Sequence, residues 1–158
     1  MRVLEVHEPF GVDALAFVDR PEPEPRPGEV VLRMQALALN YRDLLVVDGV
    51  NRWRAPGARV PISDGVGEVI ALGHGVTRVR IGDRVAPVFY PGWIDGGPAA
   101  EKMQAALGGA ALDGVCAEYV VAHESSVVLL PNGLSDVEAA TLPCAAVSSR
   151  ASPVRASS

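Results

Sequence analysis

Glycine and proline residues divide this sequence into short segments, and this division limits the possible fold more than any other feature. The 158 residues include 16 glycines and 13 prolines. Between them lie apolar runs of strand length. The predicted strands are Arg2–Val6, Ala14–Val18, Val30–Ala38, Gly65–Leu72, Asp83–Phe89, Ala117–Ala122 and Val127–Leu130. Short strands separated by turn residues favour a sandwich or barrel over alternating βαβ units.

Helices are predicted at only three places. Tyr41–Val47 has apolar residues at near-helical spacing, and Glu101–Leu107 is a second candidate. The third begins at Ser135 and Glu138, which have the spacing of a capping box, and continues through Ala139–Leu142. In such a box each of the two side chains pairs with a free backbone N–H group. We therefore expect a mainly β domain with a few short helices.

Composition excludes several classes of function. The chain carries a net charge of −5 and 49% hydrophobic residues. Because binding to nucleic acid or to an anionic membrane requires a concentrated positive field, neither partner is expected. No segment reaches the roughly 18 apolar residues of a membrane span, and no secretory signal is evident. We expect a cytoplasmic protein in which the two cysteines form no disulfide framework.

Charge and composition change near the C-terminus. The first 144 residues have a net charge of −7, whereas residues 145–158 are rich in alanine and serine and contain two arginines and no acidic residue. This change predicts one domain over residues 1–147. Residues 148–158 are interpreted as a disordered tail or as sequence foreign to the domain.

Metal, phosphate and nucleophile motifs give little support for catalysis by themselves. The histidines and cysteines include no closely spaced ligand pair of the kind found in structural zinc sites, although spacing alone leaves open a site assembled from distant residues. Gly65–Ile70 begins like a phosphate-binding loop but lacks the third glycine, and a β-rich segment follows it. No serine lies in a G-x-S-x-G turn. Trp53 and Trp93, on loops, either line a pocket or pin their own loops to the core.

Six segments together resemble the N-terminal GroES-like domain of the medium-chain dehydrogenase/reductase superfamily, which includes the zinc-type alcohol dehydrogenases and the quinone oxidoreductases. These segments occur in the family's order and cover nearly all of residues 1–147. They are Pro27–Val30, Ala38–Asp43, Asp64–Val69, Val79–Val85, Gly114–Tyr119 and Leu134–Pro143. The resemblance implies a GroES-like β-barrel and an oxidoreductase.

The zinc ligands of that family are not matched. Zinc-dependent members have a cysteine where this chain has Asn40, and a His-Glu pair where it has Ser63 and Asp64. Cys144 falls where a further ligand cysteine often lies, but one thiolate and one aspartate do not replace a three-ligand catalytic site. The four-cysteine structural loop is also absent, and Pro91–Asp113 stands in its place. The resemblance therefore implies a zinc-independent member with no metal site.

In such members hydride passes between NAD(P) and a small-molecule substrate, in a cleft between this domain and a following Rossmann domain. The resemblance places Asn40 close to the nicotinamide or the substrate carbonyl, and Ser148 where a threonine often approaches the nicotinamide. Asp43 would fix local structure. Tyr41 is a candidate general acid, although nothing in the sequence distinguishes it from a core aromatic. The pocket candidates are Tyr41, Trp53, Tyr90 and Trp93.

The resemblance ends after Val147, where the family continues into its Rossmann domain. We therefore expect a truncated member that is not competent for turnover alone. The alternative is a non-catalytic barrel module that binds an apolar ligand or a partner chain, and a homo-oligomer is possible. A third hypothesis, a zinc dehydrogenase, depends on finding stoichiometric zinc.

Overall fold

The computed structural model describes residues 1–103 and 105–148. The predicted disordered tail lies outside the described residues, apart from Ser148. The described strands are β1 (Arg2–Val6), β2 (Leu15–Asp19), β3 (Glu29–Ala38), β4 (Asp64–Leu72), β5 (Arg84–Pro87), β6 (Tyr119–His123) and β7 (Val127–Leu129). The helices are α1 (Tyr41–Val47), α2 (Ala100–Met103) and α3 (Asp136–Ala140), and Leu142–Ala146 forms one turn of π-helix.

The strands form two antiparallel sheets. A five-stranded sheet has the order β6-β3-β4-β5-β7, and β1 pairs with β2 in a separate hairpin. Two irregularities interrupt the register between β3 and β4, at Val31/Leu32 and at Met34/Ala36. Such bulges bend a strand and increase its twist. The prediction of a mainly β domain with few short helices is confirmed.

Valine and leucine side chains fill the curved face of the larger sheet. Val30 and Leu32 on β3 pack with Val69 on β4, Val85 on β5 and Val127 on β7. A second cluster joins β4 to α3, where Ala139 and Ala140 pack against Val66. Because alanines allow close approach, α3 lies directly on the sheet and fixes where the following π-turn begins.

Two helix boundaries follow from local chemistry. At α3, the Glu138 carboxylate accepts the Ser135 N–H at 2.9 Å and the Ser135 hydroxyl accepts the Glu138 N–H at 3.3 Å, so the predicted capping box is confirmed. After α1, Gly49 has φ +62° and a Cβ there would lie 2.7 Å from the Phe10 ring. Glycine therefore ends α1. No helix in the described ranges is long and apolar enough to cross a membrane.

The predicted helix over Glu101–Leu107 is shorter than expected. The structure has α2 at Ala100–Met103 only. Leu107 donates its backbone N–H to the Phe89 carbonyl at 3.0 Å, so this part of the chain bonds to the loop after β5 instead of extending a helix.

Candidate active site

A strained residue leads into the site, just before β4. Ile62 has φ +72°, a conformation that β-branched residues rarely adopt. Two glycines pack against its backbone, and a Cβ would lie 2.9 Å from the Ile62 carbonyl oxygen at Gly108 and 2.1 Å from it at Gly114. The Val115 N–H donates to the same carbonyl at 2.8 Å. These contacts hold Ile62 in place and so fix the two residues that follow it.

Asp64, the first residue of β4, is fully buried and both of its carboxylate oxygens are in use. Oδ1 accepts a hydrogen bond from the Ser63 hydroxyl at 2.8 Å, and Oδ2 accepts one from the Cys144 backbone N–H at 3.0 Å. The carboxylate therefore ties the start of the sheet to the π-turn, across 80 positions of sequence.

Asp43 is a second buried carboxylate, in the first turn of α1. It accepts the Asn40 backbone N–H at 2.8 Å and an Arg42 Nη1–H at 3.2 Å. The Ser63 backbone N–H also donates to it. Burial raises the pKa of Asp43, and these donors only partly oppose the shift. Asp43 thus fixes the helix start that presents Asn40.

Arg42 is a buried cation, with a side chain only 10% exposed. Nη1 donates to the Leu107 carbonyl at 2.6 Å, and the guanidinium carbon lies 4.7 Å from the centroid of the Trp53 ring and 5.0 Å from that of Phe89. Burial lowers the pKa of Arg42, against the opposing charges of Asp43 and Asp64. An arginine remains protonated all the same.

Three buried donor atoms of this region have no hydrogen-bond partner among the described residues. They are Nδ2 of Asn40, and Nε and Nη2 of Arg42. A buried donor left unpaired costs about 1–3 kcal/mol, so native proteins seldom keep several together without a use. These three atoms are therefore unpaired hydrogen-bond donors buried in one region of the described structure, and neither Asn40 nor Arg42 lines the cavities described below.

The residues at the zinc positions of the resembled family do not fit a zinc ion. A catalytic zinc site needs three protein ligands, and of the residues at these positions only Asp64 and Cys144 have side chains of the usual ligand types. The two oxygens of Asp64 already accept hydrogen bonds. In the described part of the chain, no group of three or more His, Cys, Asp or Glu side chains is arranged to hold a metal.

Two cavities adjoin Tyr90. The first, which we call the aromatic groove, is open and has a volume of about 460 Å³; it is lined by Val88, Phe89, Tyr90, Trp93, Ile94, Pro143, Cys144, Val147 and Ser148. The Tyr90 ring meets Phe89 edge to face, with centroids 4.5 Å apart, and its centroid lies 6.1 Å from that of Trp93. Trp93 donates its indole N–H to the Gly96 carbonyl at 3.0 Å.

The second cavity, which we call the arginine pocket, is also lined by Tyr90 and has a volume of about 200 Å³. Its lining residues come from the turn after α1, the loop after β5, the end of α2 and the segment that follows it; they are Arg52, Trp53, Tyr90, Met103, Ala106, Gly109 and Ala110. Tyr90 is shared by the groove and the pocket. The two cavities therefore meet at one aromatic ring.

The predicted site residues fall into three groups. Tyr90, Trp93 and Ser148 come together in the aromatic groove, and Trp53 joins Tyr90 in the arginine pocket. Asn40 is the N-cap residue of α1, with its amide nitrogen buried. Tyr41 is 78% exposed and lines neither cavity.

Sequence reasoning missed Arg42 and Phe89 and gave Asp64 no role beyond a failed zinc position. An arginine beside an aspartate at a helix start normally indicates a solvated pair. The one available signal for Asp64 was that an ionisable residue opens a largely apolar strand, Asp64–Leu72.

Comparison with known families gives a direct match for this architecture. The family model for the alcohol dehydrogenase GroES-like domain matches residues 26–132. The chain belongs to this family. The predicted resemblance to zinc-type alcohol dehydrogenases and quinone oxidoreductases is therefore confirmed, as is the GroES-like fold.

The relatives of this chain include proteins named as alcohol dehydrogenases and proteins named as quinone oxidoreductases. The chain is 40% identical over 121 residues to a zinc-type alcohol dehydrogenase-like protein of Schizosaccharomyces pombe, covering 77% of this chain and 35% of that protein. It is 34% identical over 139 residues to a chloroplastic quinone-oxidoreductase homolog of Spinacia oleracea, covering 87% and 36%. The chain thus spans little more than a third of the length of these relatives.

Solved structures agree with the fold. A crystal structure of an NAD-dependent alcohol dehydrogenase superposes with a TM-score of 0.76 at 35% identity, over 90% of this chain and 43% of that one. The quinone oxidoreductase of Coxiella burnetii superposes with a TM-score of 0.71 at 27% identity, over 91% and 41%. Homologues of both types make this chain a member of an oxidoreductase family.

Proposed function

We propose that this domain forms the substrate side of a zinc-independent, NAD(P)-dependent oxidoreductase. The reaction is hydride transfer to or from a small carbonyl, alcohol, quinone or activated alkene. Family membership supports the oxidoreductase class, and relatives named as a quinone oxidoreductase homolog and an acryloyl-coenzyme A reductase support substrates of this kind. We also propose that the protein works in the cytoplasm.

One observation carries the metal-free mechanism: Nδ2 of Asn40 is a buried donor without a partner in the described residues. An acceptor oxygen of the nicotinamide carboxamide or of a substrate carbonyl would pair with it. A preorganised donor aimed at a developing negative charge stabilises a transition state without the reorganisation that water requires. In this proposal Asn40 supplies part of the polarisation that a metal ion supplies in zinc-dependent relatives.

The neighbouring charges support this role. Asp43 holds the Asn40 backbone through a hydrogen bond of 2.8 Å, so the amide is fixed before any ligand binds. Arg42 contributes a buried positive charge beside it, and such a charge acts more strongly than one in water. Both residues position or stabilise, and neither is proposed to transfer a proton.

The aromatic groove would hold the nicotinamide ring and the reacting part of the substrate. Tyr90 and Trp93 offer apolar surface for a flat ring, and Ser148 adds a hydroxyl at the groove. When bound, the nicotinamide supplies or accepts the hydride. The chain's own groups orient the two partners and exclude water from between them.

The nicotinamide half of the coenzyme provides the sharpest test. Nicotinamide mononucleotide, titrated into ¹⁵N-labelled protein, is expected to shift the Asn40 side-chain amide signals and the Ser148 backbone signal. Adenosine monophosphate, which lacks the nicotinamide, is the control ligand. The exposed Asn132 side chain is the internal control within the protein. Equal shifts from both nucleotides, or shifts at Asn132 and none at Asn40, would contradict the assignment.

The proposal also includes weak or absent binding of intact coenzyme by the isolated chain. The glycine-containing segment Gly65–Ile70 lies within β4, and no helix N-terminus follows it to receive a pyrophosphate. Isothermal titration calorimetry with NADPH and NADH is expected to give no micromolar binding. A dissociation constant in the micromolar range would show that the chain carries a coenzyme site of its own.

A second candidate function has an observation in its favour. A cavity of about 370 Å³ is lined by β6, the segment before it and parts of the chain near β1 and β4, with mainly apolar walls that include Val3, Val60, Leu112 and Val121. A cavity of this size is within the range of small-molecule sites. The second candidate function is that of a non-catalytic module that binds an apolar ligand. It is favoured if light scattering shows a soluble monomer and if neither nicotinamide mononucleotide nor adenosine monophosphate binds.

A further inference from the structure

The lining of the arginine pocket includes an arginine, Arg52, that takes part in no described ion pair. Arg52 is exposed, and its guanidinium carbon lies 5.0 Å from the Trp53 ring centroid. The ion pairs among the described residues involve other arginines and do not include Arg52. Its guanidinium hydrogens are therefore free to meet a ligand.

A second arginine lies directly behind the wall of the same pocket. Nη2 of Arg42 lies 3.4 Å from the position that a Cβ on Gly109 would occupy, and Gly109 lines the pocket. Arg42 and Arg52 both stack on Trp53, with guanidinium carbons 4.7 and 5.0 Å from its centroid. The wall is thin at this point because Gly109 has no side chain. Two cations thus act on one small cavity.

The buried cation of the pair keeps unused donors. Nε and Nη2 of Arg42 have no partner in the described part of the chain, although nine-tenths of the side chain is buried. Arg42 and Asp43 form a single contact of 3.2 Å, so the guanidinium is not locked in a two-pronged pair. Arg42 does not line the pocket, so its charge acts on the pocket through the wall at Gly109.

The size of the pocket limits what can enter. A volume of about 200 Å³ corresponds to roughly seven water molecules at about 30 Å³ each. Drug-sized ligands occupy pockets of about 300–1,000 Å³. The apolar parts of Met103 and Ala106 favour a short carbon chain over a hydrated inorganic ion.

We infer that the arginine pocket binds the carboxylate end of a small organic acid, with Arg52 in direct contact and Arg42 stabilising the anion from behind Gly109. The binding of the acid does not depend on the proposed function; only its role as the substrate does. As a substrate, the acid would extend its reacting carbons past Tyr90 into the aromatic groove. It narrows the substrate class to small anionic carbonyl or alkene compounds.

Crotonate and crotonamide test the site as a matched pair, because they share a shape and differ in charge. Each is titrated into ¹⁵N-labelled full chain without coenzyme, and the indole N–H signal of Trp53 is followed by NMR. The Trp93→Phe variant assigns the two indole signals. We expect crotonate to bind at least about tenfold more tightly than crotonamide, the ratio for one charge-assisted hydrogen bond.

Variants of two exposed arginines complete the test. Arg52→Gln is expected to weaken crotonate binding about tenfold or more. Arg54→Gln is the control, because Arg54 also lies over an aromatic ring, 4.7 Å from the Phe10 centroid, but pairs with Glu8 and lines neither cavity. Equal affinity for acid and amide, or an Arg52→Gln variant that binds crotonate like the unmodified chain, would overturn the inference. Since no nucleotide is present, neither result bears on hydride transfer.

Discussion

Two groupings of arginine and aspartate in this domain use the same residue types in opposite ways. In the first, which we call the ion cluster, Asp113 accepts Arg20 Nη1 at 2.7 Å, Arg59 Nη1 at 3.0 Å and the Val60 N–H at 3.1 Å, and Arg20 also pairs with Glu5 at 2.5 Å. In the second, the candidate site, Arg42 meets Asp43 once at 3.2 Å.

The pKa values of the two aspartates shift in opposite directions. The donors around Asp113 outweigh its partial burial and lower its pKa, whereas burial of Asp43 outweighs its donors and raises its pKa. Among the described residues, the ion cluster leaves one buried donor unpaired, Nε of Arg59, while the site leaves three. The cluster therefore uses nearly all of its donors to hold loops together, whereas the site keeps more buried donors unpaired.

Removing the arginine from each grouping should give the largest contrast. Arg42→Met leaves a buried carboxylate without its cation, which costs about 3–5 kcal/mol of unfolding free energy. Arg20→Met is the matched change in the ion cluster, where a third of the side chain is exposed and water replaces part of the interaction, so about 1–2 kcal/mol is expected. Urea denaturation measures both. Equal losses would mean that the two groupings are equally buried in practice.

Acid denaturation should depend on the ion cluster. Because the folded-state pKa of Asp113 lies below its unfolded value, its contribution to stability is complete above about pH 4 and is lost as the pH falls through the folded-state pKa. Asp113→Asn is expected to reduce stability at pH 7 by about 1–2 kcal/mol and to flatten the decline in acid. The exposed Asp19 supplies the control, and an Asp19→Asn variant that flattens the profile equally would contradict this assignment.

Asp43 should change the pH dependence of stability less than Asp113 does, and in the opposite direction. Its folded-state pKa lies above the unfolded value, so the folded chain binds the extra proton and stability decreases as the pH rises from about 4 through the folded-state pKa. Asp43→Asn is expected to remove this decrease, whatever its effect on stability at a single pH. Stability measured at intervals over that range, with Asp113→Asn as the comparison, tests the sign. A slope that is unchanged in Asp43→Asn would show that another group titrates there.

Much of the fold could be predicted because its signals are local. The apolar run predicted at Val30–Ala38 is β3, Glu29–Ala38, and the Ser135 capping box begins α3 as expected. The prediction of a helix over Glu101–Leu107 was too long. Leu107 instead forms a hydrogen bond with Phe89, which depends on contacts that local spacing does not encode.

The site was less accessible to sequence reasoning. Asn40 was identified because its position resembles a family motif; its amide nitrogen is buried and unpaired among the described residues, and its role stays a prediction. Arg42 gives no such signal, because its burial depends on Trp53, Phe89 and Leu107, which lie far away in the sequence. Composition and spacing describe a residue's neighbours along the chain, whereas burial of a charge is decided by neighbours in space.

The central claim is that Asn40 and buried charges take the place of a metal ion in this domain. The zinc content of the protein tests this claim most directly. It is measured by inductively coupled plasma mass spectrometry after the protein has been equilibrated with excess zinc and passed through gel filtration. The account predicts zinc far below one equivalent per chain, with the same value for a Cys144→Ala variant. One zinc per chain that is lost in Cys144→Ala would contradict it and would return the protein to the zinc-dependent branch of its family.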